Sequence, residues 1–165
     1  MPTRSTRKRT RKPARPTRAA AVAVQRATRA RGVPASAQLA HWARAAARGA
    51  GEITLRVVGA GEGRRLNRDY RGKDYATNVL SFAYQARPQQ GDLILCHPVI
   101  AREARAQAKT IAAHYAHLVV HGVLHLRGYD HLRAADARRM ERAEVRVLRG
   151  LGYANPYVTR SPRAS

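Results

Sequence analysis

Residues 110–131 read TIAAHYAHLVVHGVLHLRGYDH, and this segment constrains the molecule more than any other part of the chain. Its apolar run predicts a helix, and Gly128 follows at the point where a helix can end in a left-handed residue. His121 and His125 are four residues apart, so their imidazoles lie one turn apart on the same helix face. The turn at Gly128 can bring His131 back toward them. The pattern therefore predicts three imidazoles that converge on one point.

Three neutral imidazoles with an open fourth position are typical of catalytic zinc sites. We therefore predict one Zn²⁺ ion, with His121, His125 and His131 as its ligands. Chance spacing is the competing interpretation for the first two alone, because the chain has seven histidines, but the third histidine after a glycine favours a metal. His117, one turn before His121, is either a neighbour of the ligands or part of an RNA-facing surface. We expect His114 to lie at the surface.

The rest of the chain predicts an α+β fold: a small mixed four-stranded sheet packed with about five helices, one of them a zincin-like metal-binding helix. We expect one domain over residues 21–157, a basic tail at 1–20 and a C-terminal tail at 158–165. The predicted strands are Ala20–Gln25, Glu52–Val58, Thr77–Tyr84 and Asp92–Cys96, with a polar connection at Gln85–Gly91. The predicted helices are about 37–48, Glu62–Tyr70, Pro98–Ala108, Thr110–Leu126 and Ala134–Leu151.

The charge of the chain is its strongest compositional signal. Lysine and arginine number 32 and acidic residues 10, for a net charge of +22, which predicts attraction to a polyanion such as nucleic acid. The excess is concentrated at the N-terminus, because the first acidic residue is Glu52. From that residue onward there are 19 basic and 10 acidic residues, which give a net charge of +9. The larger part of the chain is therefore moderately basic.

The compartment can be inferred from three features of the chain. Residues 1–20 are rich in Arg, Lys, Thr and Pro and have almost nothing to bury, so we expect them to be disordered. Such an acid-free tail also resembles an organellar transit peptide, which is the minority alternative to a cytoplasmic protein. Cys96 is the single cysteine, as a reducing compartment permits. No uncharged apolar run approaches about 18 residues, so we expect no membrane span.

The histidine spacing H-x3-H-x2-G-x2-H is also that of the metzincin proteases, and Met140 lies nine residues further on, where a methionine could sit beneath the metal. In those enzymes the residue after the first histidine is a glutamate that acts as general base. Here that residue is Gly122, which counts against proteolysis. Asp130 could supply a base instead, or it could be a carboxylate that orients a ligand imidazole.

Three segments together resemble the YbeY family of bacterial ribosomal-RNA maturation endoribonucleases. They are HGVLHLRGYDH at 121–131, LNRDYRGKDYATNVLSF at Leu66–Phe82, and GDLILC at Gly91–Cys96. The match covers roughly residues 20–155. The chain departs from the family at two positions, Ala76 and Ala83, where the family often has proline.

The resemblance implies a single-strand-specific, zinc-dependent endoribonuclease in 3′-end maturation of small-subunit (16S) ribosomal RNA and in ribosome quality control. It implies that His121, His125 and His131 bind zinc, and it matches Arg71 to an arginine important for function. The expected partners are single-stranded RNA, ribosomal RNA, and the ribosome or small-subunit assembly factors.

The residue types agree with this chemistry independently of the family. A guanidinium can hold two oxygens of a phosphate at once, and an ammonium can neutralise one of them, which makes Arg71 and Lys73 candidates to bind RNA. We predict Arg71 and Asp130 as catalytic residues. The alternative is a non-catalytic RNA- or ribosome-binding assembly factor with a structural metal, and a metalloprotease is a weaker third possibility.

Overall fold

The computed structural model describes residues 18–158 of the chain. The predicted basic tail at 1–20 and the predicted C-terminal tail at 158–165 therefore lie outside the described residues, except for residues 18–20 and Val158. In chain order the elements are β1 (Ala21–Arg26), α1 (Ser36–Ala47), β2 (Gly51–Val58), α2 (Ala60–Arg71), β3 (Val79–Ala86), β4 (Gln89–Cys96), α3 (His97–Ala106), α4 (Ile111–Leu126) and α5 (Ala134–Gly150). The predicted α+β class is confirmed.

The four strands form one mixed sheet in the order β1-β2-β4-β3. The β1–β2 and β2–β4 pairs are parallel, and β3 runs antiparallel to β4. β3 is therefore an edge strand, with one side of its backbone unpaired by any strand among residues 18–158. This edge borders the cleft described below.

Alternate residues of the central strands serve two separate cores, as the period of two in a strand requires. The larger core takes Leu55 of β2 and Leu93 of β4, together with Trp42 of α1 and apolar residues of α4 and α5. The smaller core takes Val58 and Ile94 from the opposite face of the sheet and packs against α2 and α3. Helix α4 is thus buried between the sheet and α5, which fixes the face that carries its histidines.

The predicted polar connection at Gln85–Gly91 is wrong for most of its length. Strands β3 and β4 continue through it, and only Arg87 and Pro88 join them. On one side of β4, Gln90 pairs with Gln85 of β3. On the other side, β4 continues its parallel pairing with β2. Because β4 is paired from both sides, ladder hydrogen bonds outweigh the polar composition of this segment.

None of the helices within residues 18–158 combines the length and the apolar character that a membrane crossing requires.

Candidate metal centre

Helix α4 presents the histidines because its two ends are fixed locally. The Oγ1 atom of Thr110 accepts a hydrogen bond from the backbone N–H of Ala113 at 3.1 Å, which caps the N-terminus. At the other end Gly128 has φ +93°, the left-handed conformation expected from the sequence. Its N–H donates to the carbonyl of His125 at 2.9 Å, and the chain turns back along the helix end. The turn returns His131 to the helix.

The structure brings together the three histidines that the spacing singles out. One nitrogen of each of His121, His125 and His131 lies within 4.8 Å of the others, which is close enough for a shared metal ion. The first two imidazoles are half-buried and His131 is exposed. The group is therefore open on the side of His131.

The hydrogen bonds of His121 and His125 fix which ring nitrogens carry a proton. The Nδ1 atom of His121 contacts a carboxylate oxygen of Glu144 at 2.5 Å, and that of His125 contacts the carbonyl oxygen of Tyr129 at 3.0 Å. A carbonyl oxygen and a carboxylate only accept, so both Nδ1 atoms donate. The Nε2 lone pairs of the neutral rings then face each other at 3.1 Å. Two facing lone pairs fit a bound cation, so these residues fit a metal.

Burial lowers the pKa of His125, and the neighbouring His121 and His131 lower it further. The neutral imidazole, which is the form that binds a metal, is favoured as a result.

Glu144 of α5 is the functional residue that the sequence analysis missed. It is fully buried, and its carboxylate accepts hydrogen bonds from His121, from the Nε2 atom of His117 at 3.1 Å, and from the hydroxyl of Tyr157. Burial alone would raise its pKa, but these three donors outweigh burial and lower the pKa to about 2. A buried carboxylate that holds the distal nitrogen of a metal ligand is typical of histidine metal sites.

A signal for Glu144 exists in the sequence. Met140, Ala143 and Leu148 are buried on one face of α5, and Glu144 falls on this same apolar stripe. A single acidic residue on a buried helix face needs a partner, and the histidines of α4 provide it.

The two other histidines of α4 are not at the surface. His117 is half-buried against Glu144, consistent with a neighbour of the ligands. The prediction that His114 is exposed is wrong: its side chain is buried, and its Nε2 atom lies 2.7 Å from a carboxylate oxygen of Glu103. Burial lowers the pKa of His114 in spite of this carboxylate.

A cleft of about 650 Å³ lies beside the three histidines, between α4 and the edge strand β3. Arg71 and Lys73 line it together with Asn78 and Ser81, and none of the described residues that line it is acidic. The predicted RNA-binding residues therefore share one cationic cleft with the predicted metal ligands.

Arg71 is the last residue of α2, and the turn that follows positions it. Gly72 has φ +68°, which ends the helix, and its N–H donates to the carbonyl of Arg68 at 3.0 Å. The Nη2 atom of Arg71 donates to the carbonyl of Ser81 at 2.9 Å, so the guanidinium crosses the free edge of β3. Only one of its five N–H donors is used by this bond, and the others can reach a phosphate.

Asp130 does not line the cleft. Its Oδ1 atom accepts hydrogen bonds from the backbone N–H groups of His131 and Leu132 at 2.6 and 3.3 Å. It therefore fixes the loop that carries His131, which matches the orienting alternative more closely than a general base.

Two further residues bear on the protease alternative. Gly122 packs against the sheet, where a Cβ atom would lie 2.8 Å from a methyl carbon of Leu93. The position that holds the glutamate of metzincins thus faces the core here, away from the metal ligands. Met140 lies in the middle of α5 and is buried in the main core. The general-base glutamate of a metzincin centre is therefore absent at Gly122.

An α+β protein with three convergent histidines beside a cationic cleft is the class that these features define. The family model of the endoribonuclease YbeY matches residues 22–152. A protein of Aromatoleum aromaticum named Endoribonuclease YbeY is 58% identical over 142 residues, which cover 83% of this chain and 92% of that protein. One of the same name from Methylibium petroleiphilum is 60% identical over 117 residues, covering 70% of this chain and 78% of that protein.

A solved structure shows the same likeness. The solution structure of TM1509 from Thermotoga maritima has a TM-score of 0.53 and 25% sequence identity, and the match covers 86% of this chain and 99% of that one. The chain belongs to the YbeY endoribonuclease family. The predicted resemblance is confirmed, and with it the prediction that the protein is an endoribonuclease.

Proposed function

We propose that this protein is a zinc-dependent endoribonuclease that cleaves single-stranded RNA, with the 3′ end of small-subunit ribosomal RNA as its substrate. The observation that carries the proposal is the pair of Nε2 atoms of His121 and His125, 3.1 Å apart beside a cleft in which none of the described lining residues is acidic. A site of this kind attracts a cation between the rings and a polyanion in the cleft.

Three imidazole nitrogens suit zinc, and we assign His121, His125 and His131 as its ligands. In such a site zinc activates water and polarises phosphoryl oxygens. Glu144 and the carbonyl of Tyr129 hold the two helical ligands in one orientation. Asp130 holds the loop that carries the third.

Arg71 provides the second chemical element of the proposal. Its guanidinium is tethered to Ser81 and aimed along the cleft, where it can stabilise the negative charge that develops on the phosphate oxygens. Lys73 lines the same cleft and can neutralise a neighbouring phosphate. These contacts position an RNA strand without reading its sequence.

The ribosome or small-subunit assembly factors, and a cytoplasmic location, complete the proposal. The support for them is the family, the basic charge of +9 from residue 52 onward, and the single buried cysteine.

The test is cleavage of a labelled single-stranded RNA by the purified full-length protein, after chelation and after addition of zinc, manganese or nickel. His125→Ala and Arg71→Ala are compared with Arg65→Ala, which removes an exposed arginine from the same helix as Arg71. We expect chelation to abolish cleavage and zinc to restore it. The first two variants should be inactive and Arg65→Ala fully active.

The outcomes separate the competing functions. Equal cleavage by all proteins would reveal a contaminating nuclease, and absence of cleavage with zinc bound would favour the assembly factor with a structural metal. The ends of the products report the nucleophile: a 5′-phosphate indicates attack by water, whereas a 2′,3′-cyclic phosphate would show attack by the neighbouring 2′-hydroxyl. In a separate assay, digestion of casein by the purified protein would support the metalloprotease alternative.

A further inference from the structure

The exposed aromatic residues of this protein are concentrated beside the cleft. The chain has nine Phe, Trp and Tyr residues. Among residues 18–158 the exposed aromatic side chains are those of Tyr70, Tyr75, Tyr84 and Tyr157, and three of these four fall between residues 70 and 84. This short segment is also the one that supplies Arg71 and Lys73 to the cleft.

Three aromatic side chains lie at this part of the surface, and we call them the aromatic platform: Tyr70, Phe82 and Tyr84. The ring of Tyr70 meets that of Phe82 edge to face, with 5.4 Å between their centroids. Tyr84 lies at a bulge in β3, and its hydroxyl donates to Asp92, the residue of β4 that pairs with Phe82, so its ring lies on the Phe82 side of the strand. Tyr70 and Tyr84 are each 68% exposed, so their rings are accessible to a ligand.

Arg71 joins the aromatic platform to the cleft. Its guanidinium carbon lies 5.7 Å from the centroid of Phe82, while the same side chain donates to the carbonyl of Ser81 and lines the cleft. Phe82 packs against the smaller core, so the platform lies on the other face of β3 from the histidines, and an RNA strand that contacts both would pass the free edge of β3 that Arg71 crosses. Because β3 is the edge strand, no other strand of the described chain blocks this path.

The charges around the aromatic platform favour a polyanion. The nearby acidic residues all have partners. Asp69 pairs with Arg68, Asp74 forms a bidentate pair with Arg64, and Asp92 accepts a hydrogen bond from the hydroxyl of Tyr84 at 2.7 Å. Arg71 and Lys73 form no ion pair within residues 18–158. Rings interleaved with unpaired cations are the arrangement that binds single-stranded nucleic acid, since bases stack on rings and cations contact phosphates.

We propose that the aromatic platform of Tyr70, Phe82 and Tyr84 binds unpaired bases of the substrate RNA by stacking, next to the phosphate held by Arg71. The inference rests on the proposed function for its ligand, and it adds the physical basis of single-strand preference. Bases within a duplex are already stacked and cannot reach these rings, whereas an unpaired strand can.

The test measures binding without cleavage. A fluorescent single-stranded RNA of about 16 nucleotides is made resistant by 2′-O-methyl and phosphorothioate groups, which keep its charge, and anisotropy is recorded with the full-length zinc-loaded protein. Three probes are compared: the intact strand, the same strand with abasic nucleotides, and its duplex. The double variant Tyr70→Leu/Tyr84→Leu removes both exposed rings, and Tyr70→Phe/Tyr84→Phe is the matched control that keeps them.

We expect the leucine variant to bind the intact strand at least about 5-fold more weakly for each lost stack. The slope of affinity against salt should stay unchanged, because no phosphate contact is removed. Abasic nucleotides should weaken binding to the wild type but not to the leucine variant, and the phenylalanine variant should behave as the wild type. Both variants lose the hydrogen bond from Tyr84 to Asp92 alike, and because the altered side chains are mostly exposed, thermal unfolding should show both variants folded at the temperature of the binding assay.

Other results would overturn the inference. A reduced salt dependence of binding in the leucine variant would show that phosphate contacts had changed. An equal loss of affinity for the single strand and for the duplex would show that the rings do not select unpaired bases. If the wild type does not distinguish intact from abasic RNA, the aromatic platform serves another partner, such as a protein segment. Binding is measured without cleavage, so the two proposals can fail separately. A wild-type protein that binds intact RNA more tightly than abasic RNA but cleaves neither would contradict the proposed function and leave the platform supported.

Discussion

The Nε2 atoms of His121 and His125 face each other at 3.1 Å because each ring donates its Nδ1 proton to an acceptor behind it. These two acceptors thus hold the rings of both proposed ligands in one orientation. Of the two acceptors, the Glu144 carboxylate belongs to a different helix, so the geometry of the centre depends on how α5 packs against α4.

Glu144→Gln tests this dependence. The amide keeps the shape of the side chain but cannot accept from His117, His121 and Tyr157 together, so His121 loses its fixed orientation. We expect the zinc affinity to fall by about 10-fold to 100-fold. Competition with a chromogenic chelator measures this affinity directly.

Glu141→Gln is the matched control for this change. Glu141 lies on the exposed face of the same helix, so its substitution should leave the zinc affinity unchanged. The ¹⁵N shifts of the His121 ring add a readout that a purely structural role would not move. They should report a proton fixed on Nδ1 in the wild type and a mixture of tautomers in Glu144→Gln. Wild-type zinc affinity in Glu144→Gln would contradict the orienting role.

Arg71→Lys separates charge from shape in the cleft. Lysine keeps the positive charge but cannot form the two parallel hydrogen bonds of a guanidinium, and it loses the bridge to Ser81. We expect the cleavage rate constant to fall by about 10²-fold to 10³-fold, the effect typical of losing one preorganised donor. Zinc content should not change.

Single-turnover cleavage at saturating protein measures the rate constant of Arg71→Lys. Arg65→Lys is the control, since Arg65 is exposed on α2 and does not line the cleft. Full activity in Arg71→Lys would mean that charge alone suffices at this position.

His97 makes the stability of the fold depend on pH away from the metal centre. It is buried, its Nε2 atom donates to the carbonyl of Arg31 at 3.0 Å, and its Nδ1 atom accepts from the hydroxyl of Tyr115 at 2.7 Å. Burial lowers its pKa in the folded state. Its contribution to stability is therefore complete above the unfolded pKa of about 6.5 and is lost as the pH falls below it, because the unfolded chain then binds a proton that the folded chain does not.

His97→Gln keeps a donor and an acceptor in place of the imidazole and does not titrate. Between about pH 6.5 and 5 the free energy of unfolding of the wild type should fall more steeply than that of His97→Gln, by up to about 1.4 kcal/mol per pH unit. Urea denaturation at several pH values measures the difference, and the other histidines cancel because both proteins carry them. Parallel curves would show that His97 is protonated equally in both states.

The sequence predicts the parts of this protein that local spacing controls. The i, i+4 pair of His121 and His125 and the turn at Gly128 are local features, and they are sufficient to predict that the three histidines come together. The contact between Glu144 and the histidines could not be predicted in the same way. It depends on how α5 packs against α4, and no local sequence pattern indicates how two helices pack. The hairpin of β3 and β4 was misjudged for a related reason: Gln85 and Gln90 are held by pairing across strands.

Gly91 shows how tightly β4 is packed against the end of the histidine helix. A Cβ atom at this position would lie 2.6 Å from the carbonyl oxygen of Phe82 and 2.5 Å from a methyl carbon of Leu126. Leu126 directly follows the proposed ligand His125 and lines the cleft. Gly91→Ala must therefore move either the edge strand or the end of α4, and we expect it to lower the free energy of unfolding by about 1–3 kcal/mol.

Gly61→Ala is the control for Gly91→Ala, because it adds the same methyl group at a position where there is space for it. Gly61 lies in α2 with no atom within 4 Å of a Cβ placed there, so alanine should leave the stability unchanged or raise it by up to about 1 kcal/mol. Urea denaturation of both variants measures the contrast, and zinc affinity measures whether the strain in Gly91→Ala reaches His125. If both variants were as stable as the wild type, β4 and α4 could move apart at Gly91 without cost. The close approach of the sheet to α4 would then not be required to hold the three histidines in place.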